Sequence, residues 1–307
     1  MKDIILSGSL AYDRIMNFPE SFSDHILPDK IHNLNVCFQV DGISENFGGT
    51  AGNIAYALKL MGGSPLISAT IGSDHHNYFY WLGNNNIPRD GIKIIPDELT
   101  ASAYITTDKN NNQITGFNPG AMKYSSKLDI ESLDTEKTLV LVSPGNLDDM
   151  IDYPRRCKKC GIDYIFDPGQ ALPVLQGDDL VEVISDCMIL IVNDYEFSLI
   201  MEKTSLNKNK LLKLAKTTIV TLGDKGSTIY DSTGKTDIPA METDRVIDPT
   251  GAGDAYRGGL LYGLLSAKDM KTCGLLGSVC ASFAVESNGT QVYTFTPDQF
   301  KKRLAEI

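Results

Sequence analysis

The stretch Asp248-Pro249-Thr250-Gly251-Ala252-Gly253-Asp254 decides how the rest of this chain can be interpreted. It runs directly into residues 255 to 264, an apolar run dense enough to form a buried helix. A Gly-Ala-Gly turn before a helix leaves several backbone N–H groups unpaired and pointing the same way, where the helix dipole adds roughly half a positive charge. The stretch therefore predicts an anion-binding site at the start of a helix.

Asp254 places a carboxylate in the first turn of that predicted helix. Phosphoryl transfer to an alcohol needs donors that receive the charge developing on the phosphate, and a base that takes the hydroxyl proton. The turn could supply the donors and Asp254 the base. Acidic residues are also common at helix N-termini, where they stabilise the dipole. The stretch alone leaves a helix cap and a catalytic base equally open.

Length and composition limit the classes of protein. The chain has 307 residues, of which 42% are hydrophobic, so it can bury a large core and lies near the upper limit for one domain. Its formal net charge of −11 disfavours binding to nucleic acid. The apolar run Ile4-Ile5-Leu6 is too short for a signal-peptide core, and no run approaches the ~18 apolar residues of a membrane span. We expect a cytoplasmic protein without membrane or nucleic-acid partners.

Apolar runs rich in β-branched residues alternate with helical stretches along the chain. The predicted strands lie at residues 4–7, 139–142, 164–166, 188–192 and 218–222. This alternation predicts a mostly parallel sheet with helices on both faces.

Two further regions predict β structure outside that sheet. Residues 34–40 alternate between apolar and polar side chains, and residues 101–117 form a second extended region with a polar turn. Together they predict a small sheet over the active site. Phe38 and Phe117 could present their faces to a flat base, or they could simply pack within the small sheet.

Cys157 and Cys160 form a Cys-x-x-Cys pair. A zinc site would need two more ligands, and a redox pair prefers a helix N-terminus, whereas this pair ends a helical stretch just before Gly161. A structural role is therefore the favoured interpretation.

The stretch 248–254, with the Gly-Gly-Leu-Leu at 258–261, resembles the signature of the ribokinase or PfkB-type kinases. Further segments resemble that family in chain order: Gly8-Ser9 with Asp13, Gly48-Gly49 with Asn53, Asn193 with Glu196, and Thr221 to Gly226. The resemblance implies an α/β fold of the ribokinase-like kind, three layers α/β/α around a mostly parallel central sheet. It implies one kinase domain over residues 1–307, with a lid formed by roughly residues 14–47 and 91–118.

The resemblance also implies roles for the residues around the predicted anion site. Asp254 would be the catalytic base, and Gly251, Ala252 and Gly253 would form the anion hole. Ser9, Asp13, Gly49 and Asn53 would bind the substrate, with Asp13 holding sugar hydroxyls.

Other residues at predicted strand ends are candidates for binding. Gln170 follows a strand and could hydrogen-bond a ligand, although a plain turn is equally consistent with the sequence. Asn193 and Glu196 resemble the pair with which the family organises Mg²⁺ and phosphate, with Glu196 acting through water. The same spacing also fits a helix-capping box.

The nucleotide site follows from the resemblance alone. Thr221, Gly223 and Gly226 would contact ATP, and Ser278 lies on a helix that flanks the adenine in relatives. Asp248 and Thr250 resemble a monovalent-cation site of some members, which would bind K⁺.

The substrate class is a finer expectation. Residues 116–122, 167–170 and 286–291 resemble the bacterial adenosine kinase-like members more than the ribokinases. This favours phosphorylation of adenosine at its 5′-hydroxyl, and with it a role in purine salvage. A sugar kinase of the ribokinase or fructokinase type is the alternative, and a non-catalytic sugar or nucleoside sensor is a remote one. A homodimer through the lid is also expected.

Overall fold

The computed structural model describes residues 3–243 and 245–307, with every side chain in these ranges except that of Lys30. The strands in this part of the chain are β1 Asp3–Ser7, β2 Ala11–Asn17, β3 Ile43–Gly48, β4 Pro65–Ile71, β5 Ile92–Ile94, β6 Ala101–Thr107, β7 Gln113–Asn118, β8 Thr138–Val142, β9 Asp163–Phe166, β10 Ile189–Asn193, β11 Thr217–Thr221, β12 Ser227–Asp231 and β13 Gly234–Ile238. The α-helices are α1 Phe22–His25, α2 Thr50–Leu60, α3 His76–Asn84, α4 Leu147–Cys160, α5 Gly177–Ile184, α6 Asp194–Thr204, α7 Lys208–Leu211, α8 Ala252–Leu265, α9 Met270–Val285 and α10 Pro297–Leu304.

A large sheet forms the centre of the molecule, with the strand order β13-β12-β11-β10-β9-β8-β1-β4-β5. All pairs from β11 to β5 are parallel, and only the hairpin of β12 and β13 adds antiparallel strands at one edge. The predicted mostly parallel sheet is therefore confirmed. In such a sheet the loops at the carboxyl ends of the strands form the ligand crevice.

Helices cover both faces of the large sheet because successive strand residues point to opposite sides. On β1, Ile4 and Leu6 join one core with α2, α3 and α8, whereas Ile5 joins the other core with α4, α5 and α6. These apolar strands are buried on both faces, which gives the three-layer α/β/α architecture.

Glycines allow three helices on one face to pack closely. A Cβ at Gly259 of α8 would lie 2.4 Å from the carbonyl oxygen of Leu276 on α9, and one at Gly263 would lie 2.7 Å from Sγ of Cys273. A Cβ at Gly258 would lie 2.4 Å from that of Ala57 on α2. The glycines after Asp254 therefore allow α8 to pack directly against α2 and α9.

A small sheet of four strands, in the order β3-β2-β6-β7, stands apart from the large sheet. Strands β6 and β7 form an antiparallel hairpin within the region 101–117 that the sequence predicts to be extended. The prediction of a strand at residues 34–40 is wrong. These residues have no regular secondary structure, and the strand of this region is β3, which pairs with β2.

Aromatic packing explains this difference. The Phe38 ring lies 4.8 Å from Phe18 and 5.1 Å from Phe22, measured between ring centroids, while Leu34 is 49% exposed. The alternation in this segment thus reflects side chains that anchor an irregular loop. Since Phe38 belongs to this cluster and does not line the cavity described below, the expectation that it contacts a base is not supported.

The Cys-x-x-Cys pair ends α4, as expected, and Gly161 closes the helix with a φ of 73°. Burial raises the pKa of Cys157 to about 12, so its thiol stays protonated and is a poor nucleophile or metal ligand. None of the helices in residues 3–243 and 245–307 has both the length and the apolar character needed to cross a membrane.

Candidate active site

The first turn of α8 forms the predicted anion site. Gly251 precedes the helix with a φ of 78°, a left-handed conformation that favours glycine, and a Cβ there would lie 2.9 Å from the methyl group of Thr290. The amide groups of Gly253 and Asp254 donate to no acceptor among the described residues. These free donors at a helix N-terminus can hold an anion.

Asp254 lies in this turn and contacts α2. Oδ2 of Asp254 accepts a 2.8 Å hydrogen bond from Nδ2 of Asn53. Burial raises the pKa of Asp254 to about 6, against the opposing effects of Arg257 and Asn53. The carboxylate is therefore ionised at neutral pH, yet it is more basic than an exposed Asp, as a proton acceptor requires.

Asn53 is itself fixed from the far end of the chain. Gln291 is buried, and its Nε2 donates to Oδ1 of Asn53 at 2.9 Å and lies at the same distance from the Tyr78 hydroxyl. Its Oε1 accepts from Nε1 of Trp81. The predicted substrate ligand Asn53 thus has its amide oxygen bound to Gln291 and its amide nitrogen bound to Asp254.

An arginine stands one turn after Asp254. Arg257 is 7% exposed and pairs with Asp167, which is 2% exposed. Nη2 donates to Oδ1 at 2.7 Å, and Nε lies 2.6 Å from Oδ2. Burial alone would lower the pKa of Arg257, but Asp167, Asp254 and Glu196 together raise it, so the guanidinium stays charged.

Asn193 and Glu196 form the capping box that the sequence left as an alternative. Oδ1 of Asn193 accepts from the Glu196 amide at 2.7 Å, and Oε2 of Glu196 accepts from the Asn193 amide at 2.9 Å. Burial and the nearby Asp167 raise the pKa of Glu196, although the Asn193 amide and Arg257 oppose them. Glu196 therefore caps α6 and also lies in the same electrostatic environment as Arg257.

A cavity of about 400 Å³ opens beside the first turn of α2, within the size range of small-molecule sites. Five of the predicted substrate ligands line it: Ser9, Asp13, Gly49, Phe117 and Gln170. Much of the remaining wall is apolar and was not predicted as binding residues: Ala11, Met122, Pro144, Leu147, Ala171 and Val174.

Asp13 supplies a free acceptor to this cavity. Its carboxylate makes no hydrogen bond to any residue that the structure describes, and a Cβ at Gly48 would lie 2.6 Å from Oδ2. Burial, and then the charge of Asp248, raise its pKa. A half-buried carboxylate without a protein partner is suited to accept hydrogen bonds from ligand hydroxyls.

Ser9 and Gly49 build the cavity wall in different ways. The Ser9 hydroxyl accepts from the Thr50 amide at 3.1 Å and so caps α2 from a neighbouring loop. Gly49 has a φ of 88°, and a Cβ there would lie 2.6 Å from the Ser9 carbonyl oxygen. Both residues position the backbone at the cavity, and the Ser9 hydroxyl is already engaged.

Two exposed side chains, those of Phe117 and Gln170, line the cavity. Phe117 on β7 is 54% exposed and makes no ring contact with another described aromatic side chain. Gln170 lies in a 3-10 turn, Gly169–Ala171, directly after the buried Asp167. The amide of Gln170 forms no hydrogen bond with the described part of the chain, so it is free for a ligand.

The predicted nucleotide loop follows β11. Gly223 and Gly226 both have positive φ, of 61° and 85°. A Cβ at Gly226 would lie 2.0 Å from the carbonyl oxygen of Ile238, whereas one at Gly223 would meet nothing within 4 Å. Gly226 is thus required by packing against the end of β13, and Thr221 lies at the end of β11 with its hydroxyl donating to Val192.

Ser278 and Asp248, two further predicted ligands, have their polar side-chain atoms engaged. The Ser278 hydroxyl donates to Pro239 at 2.8 Å and accepts from the Met241 amide at 3.0 Å, so a direct contact with ATP is not supported. The oxygens of Asp248 accept from the amides of Thr250 and Gly289. The role of Asp248 and Thr250 in binding K⁺ stays a prediction.

Arg257 and Gln291 were absent from the predicted site. Arg257 follows Asp254 by three residues on a helix, a spacing that puts both on one face and could have drawn attention to it. Gln291 lies in the segment 286–291 that resembles the adenosine kinase-like members, but no local pattern marks it as a site residue, because its contacts with Asn53 and Trp81 span more than 200 residues of chain.

Comparisons with known proteins agree with this geometry. The family model described as pfkB family carbohydrate kinase matches residues 9–297. A nucleoside kinase of Methanocaldococcus jannaschii is 34% identical over 99% of this chain and 97% of its own length.

Solved structures resemble the chain over nearly its whole length. The Burkholderia thailandensis nucleoside kinase in complex with inosine is 36% identical, with a TM-score of 0.88 over 99% of this chain and 96% of that one. The same kinase in complex with ADP-inosine is 38% identical, with a TM-score of 0.85 over 99% and 95%. Since the family model covers most of the chain, the chain belongs to the pfkB family of carbohydrate kinases and is an ATP-dependent phosphotransferase with the ribokinase-like fold.

Proposed function

We propose that this chain transfers the γ-phosphoryl group of ATP to the 5′-hydroxyl of a nucleoside, and that adenosine is its substrate. The observation that carries the proposal is the composition of the cavity beside the first turn of α2, whose Asn53 is hydrogen-bonded to Asp254. One wall offers the free carboxylate of Asp13, and the other is apolar and includes the exposed ring of Phe117. A nucleoside has both parts, a hydroxylated ribose and a flat base.

A free sugar fits this cavity less well. Leu147, Val174 and Phe117 are 44%, 57% and 54% exposed. A ribose or fructose molecule would leave much of this apolar surface uncovered, whereas a base would bury it at about 25 cal/mol per Å². The sugar kinase therefore remains the alternative, and a non-catalytic sensor would have no need of a proton acceptor such as Asp254.

Asp254 accepts the proton of the attacking hydroxyl in the proposed reaction. Its raised pKa of about 6 brings it nearer to neutral pH than an ordinary Asp, which favours proton transfer. The free amides of Gly253 and Asp254 receive the negative charge at the transferred phosphoryl group. The hydrogen bond from Asn53 orients the carboxylate.

Magnesium fits the residues present only as a partly hydrated ion. The described residues contain no group of three or more His, Cys, Asp or Glu side chains able to enclose a metal. Glu196, half-buried in the first turn of α6, would hold Mg²⁺ through water. When bound, Mg²⁺ neutralises phosphate charge during transfer.

The similar kinase from Burkholderia thailandensis has been solved with inosine, which makes inosine the second candidate substrate. The small sheet that carries Asp13 and Phe117 is proposed to act as the lid, within the regions 14–47 and 91–118. Dimerisation through this sheet remains a prediction.

The test is release of ADP from ATP and Mg²⁺ with adenosine, inosine, ribose and fructose in parallel, for the wild-type chain and Asp254→Asn. We expect turnover with adenosine, and a loss of about 100-fold to 10,000-fold in the variant. Turnover confined to inosine would support a nucleoside substrate but would replace adenosine with inosine as that substrate. Turnover with a free sugar alone would overturn the nucleoside proposal, and a variant that kept more than a tenth of wild-type turnover would exclude Asp254 as the base.

A further inference from the structure

Arg257 has a nitrogen that the ion pair with Asp167 does not use. Nη2 and Nε both face the carboxylate of Asp167. Nη1 forms no hydrogen bond within the part of the chain that the structure describes, although the residue is only 7% exposed. Nη1 is not one of the fully buried unpaired atoms of the described residues, unlike Nε, so it keeps accessible surface and can donate to a ligand.

The unpaired nitrogen lies against the anion site. Nη1 of Arg257 is 2.9 Å from the position that a Cβ of Gly253 would occupy. Side chains on an α-helix lean towards its N-terminus, so a residue one turn after Gly253 covers the first turn of α8. A side chain larger than that of glycine at residue 253 would displace the guanidinium from this position.

The surrounding charges keep Arg257 cationic. Three carboxylates, those of Asp167, Asp254 and Glu196, raise its pKa against the effect of burial. Asp167 accepts a hydrogen bond from Nη2 and lies 2.6 Å from Nε, so this ion pair positions the guanidinium. Asp167 thus holds one edge of the planar, charged guanidinium of Arg257. The remaining donor, Nη1, lies against the first turn of α8, whose amides are free.

We propose that Arg257 is a catalytic residue whose Nη1 donates a hydrogen bond to the phosphoryl group during transfer, and that Asp167 holds it for this contact. The inference rests on the proposed function, since it places the transferred group at the first turn of α8. Arg257 would complement the amides of Gly253 and Asp254 and compensate charge that develops in the transition state.

A purely structural ion pair is the competing interpretation. Asp167 precedes the cavity residue Gln170, so the pair could simply fasten that loop to α8. The two roles differ in what they stabilise. A structural pair would affect substrate binding and stability, whereas a phosphoryl ligand would affect kcat and the affinity for a mimic of the transferred group.

The experiment compares wild-type chain, Arg257→Met and Arg257→Lys, with Arg155→Met as a matched control. Arg155 is an exposed arginine of α4 that pairs with Asp179 and Glu182. For each chain, steady-state kcat and KM are measured. The dissociation constants of Mg·ADP are also measured with and without aluminium fluoride, in the presence and absence of adenosine. Aluminium fluoride bound with ADP mimics the phosphoryl group in the transition state of transfer.

In Arg257→Met we expect kcat to fall about 100-fold to 1,000-fold, with KM for adenosine changed less than about threefold. Wild-type chain should bind ADP more tightly with aluminium fluoride than without it, and the variant should lose this preference while its affinity for ADP alone is retained. Lysine keeps the charge but cannot hold Asp167 and reach the turn at once, so Arg257→Lys should remain at least tenfold slow. Arg155→Met should match wild type.

Arg257→Met leaves the buried Asp167 without its partner and can fail to fold. The double variant Arg257→Met with Asp167→Asn removes this unpaired charge, and its kcat and fluoride preference should be lost in the same way. Folded variants that keep the wild-type preference for ADP with aluminium fluoride would overturn the proposal, as would a wild-type chain that shows no such preference. If the wild-type chain binds ADP more tightly with aluminium fluoride but turns over no nucleoside, the proposed substrate would be wrong, and the proposed role of Arg257 would be supported.

Discussion

The side-chain amide of Asn53 donates a 2.8 Å hydrogen bond to Oδ2 of Asp254, across 201 residues of chain. This bond joins the first turn of α2, beside the cavity, to the first turn of α8, where the free amides lie. Because Gln291 fixes the other end of the Asn53 amide, the carboxylate has one preferred orientation. The two glycine-containing motifs therefore act as one site.

The hydrogen bond between Asn53 and Asp254 should affect how the activity depends on pH. Burial raises the pKa of Asp254 to about 6, and the hydrogen bond from Asn53 opposes that rise. The active, ionised form is lost as the pH falls through about 6, so kcat/KM of wild type should decline below this pH. In Asn53→Ala the opposing effect is absent, and the midpoint of the decline should move to higher pH.

Asn84→Ala is the control for this measurement, since Asn84 is an exposed residue of α3 outside the site. Its pH profile should coincide with that of wild type. An Asn53→Ala profile whose midpoint is unchanged, or lies at lower pH, would contradict the assigned effect of the bond.

Asp254→Asn is expected to make the folded chain more stable at pH 8. The pKa of Asp254 is higher in the folded chain than its ordinary value of 3.8. Folding therefore favours the protonated form, and this contribution is present below pH 3.8 and lost as the pH rises through about 6. Asparagine imitates the protonated state and should add about 1 to 2 kcal/mol at pH 8, allowing for partial exposure.

Urea unfolding at pH 8 and at pH 4 would measure this difference. The gain should shrink at pH 4, where the wild-type carboxyl is largely protonated in the folded chain. A variant that is less stable than wild type at pH 8 would show that ionised Asp254 stabilises the fold.

Phe117→Ala should weaken binding of nucleosides and not of free sugars. Stacking of a base on an aromatic ring contributes about 1 to 3 kcal/mol, which corresponds to a KM for adenosine raised about 5-fold to 150-fold. Ile114→Ala is the matched control because Ile114 lies on the same strand, is 45% exposed and does not line the cavity. Equal effects of the two substitutions would argue against a contact between Phe117 and the base.

Gly226→Ala should destabilise the chain more than Gly223→Ala. A methyl group at residue 226 would lie 2.0 Å from the Ile238 carbonyl oxygen, in addition to the strain of a positive φ. We expect losses of about 2 to 4 kcal/mol at residue 226 and about 1 to 2 kcal/mol at residue 223, measured by urea unfolding. Similar losses at both positions would mean that the loop moves away from β13 without cost.

The sequence by itself determined the layered architecture and the order of the motifs. Apolar runs such as residues 139–142 become strands wherever burial on both faces suits their side chains, and this is a local property of the chain. The turn at Gly251 is equally local, since glycine tolerates its positive φ and the helix that follows directs free amides outwards. For the same reason Asp254 could be assigned to the first turn of a helix before any contact was known.

Only the tertiary structure decided which side chains are free to bind. Residues 34–40 alternate like a strand, but Phe38 is held by Phe18 and Phe22, contacts that no local pattern encodes. The Ser278 hydroxyl is hydrogen-bonded to the backbone of Pro239 and Met241, which are distant in the chain. The Asp13 carboxylate has no such partner among the described residues. Arg257 and Gln291 are hydrogen-bonded to partners 90 and 238 residues away in the chain. The role of a buried charge or amide depends on the groups that tertiary packing places next to it.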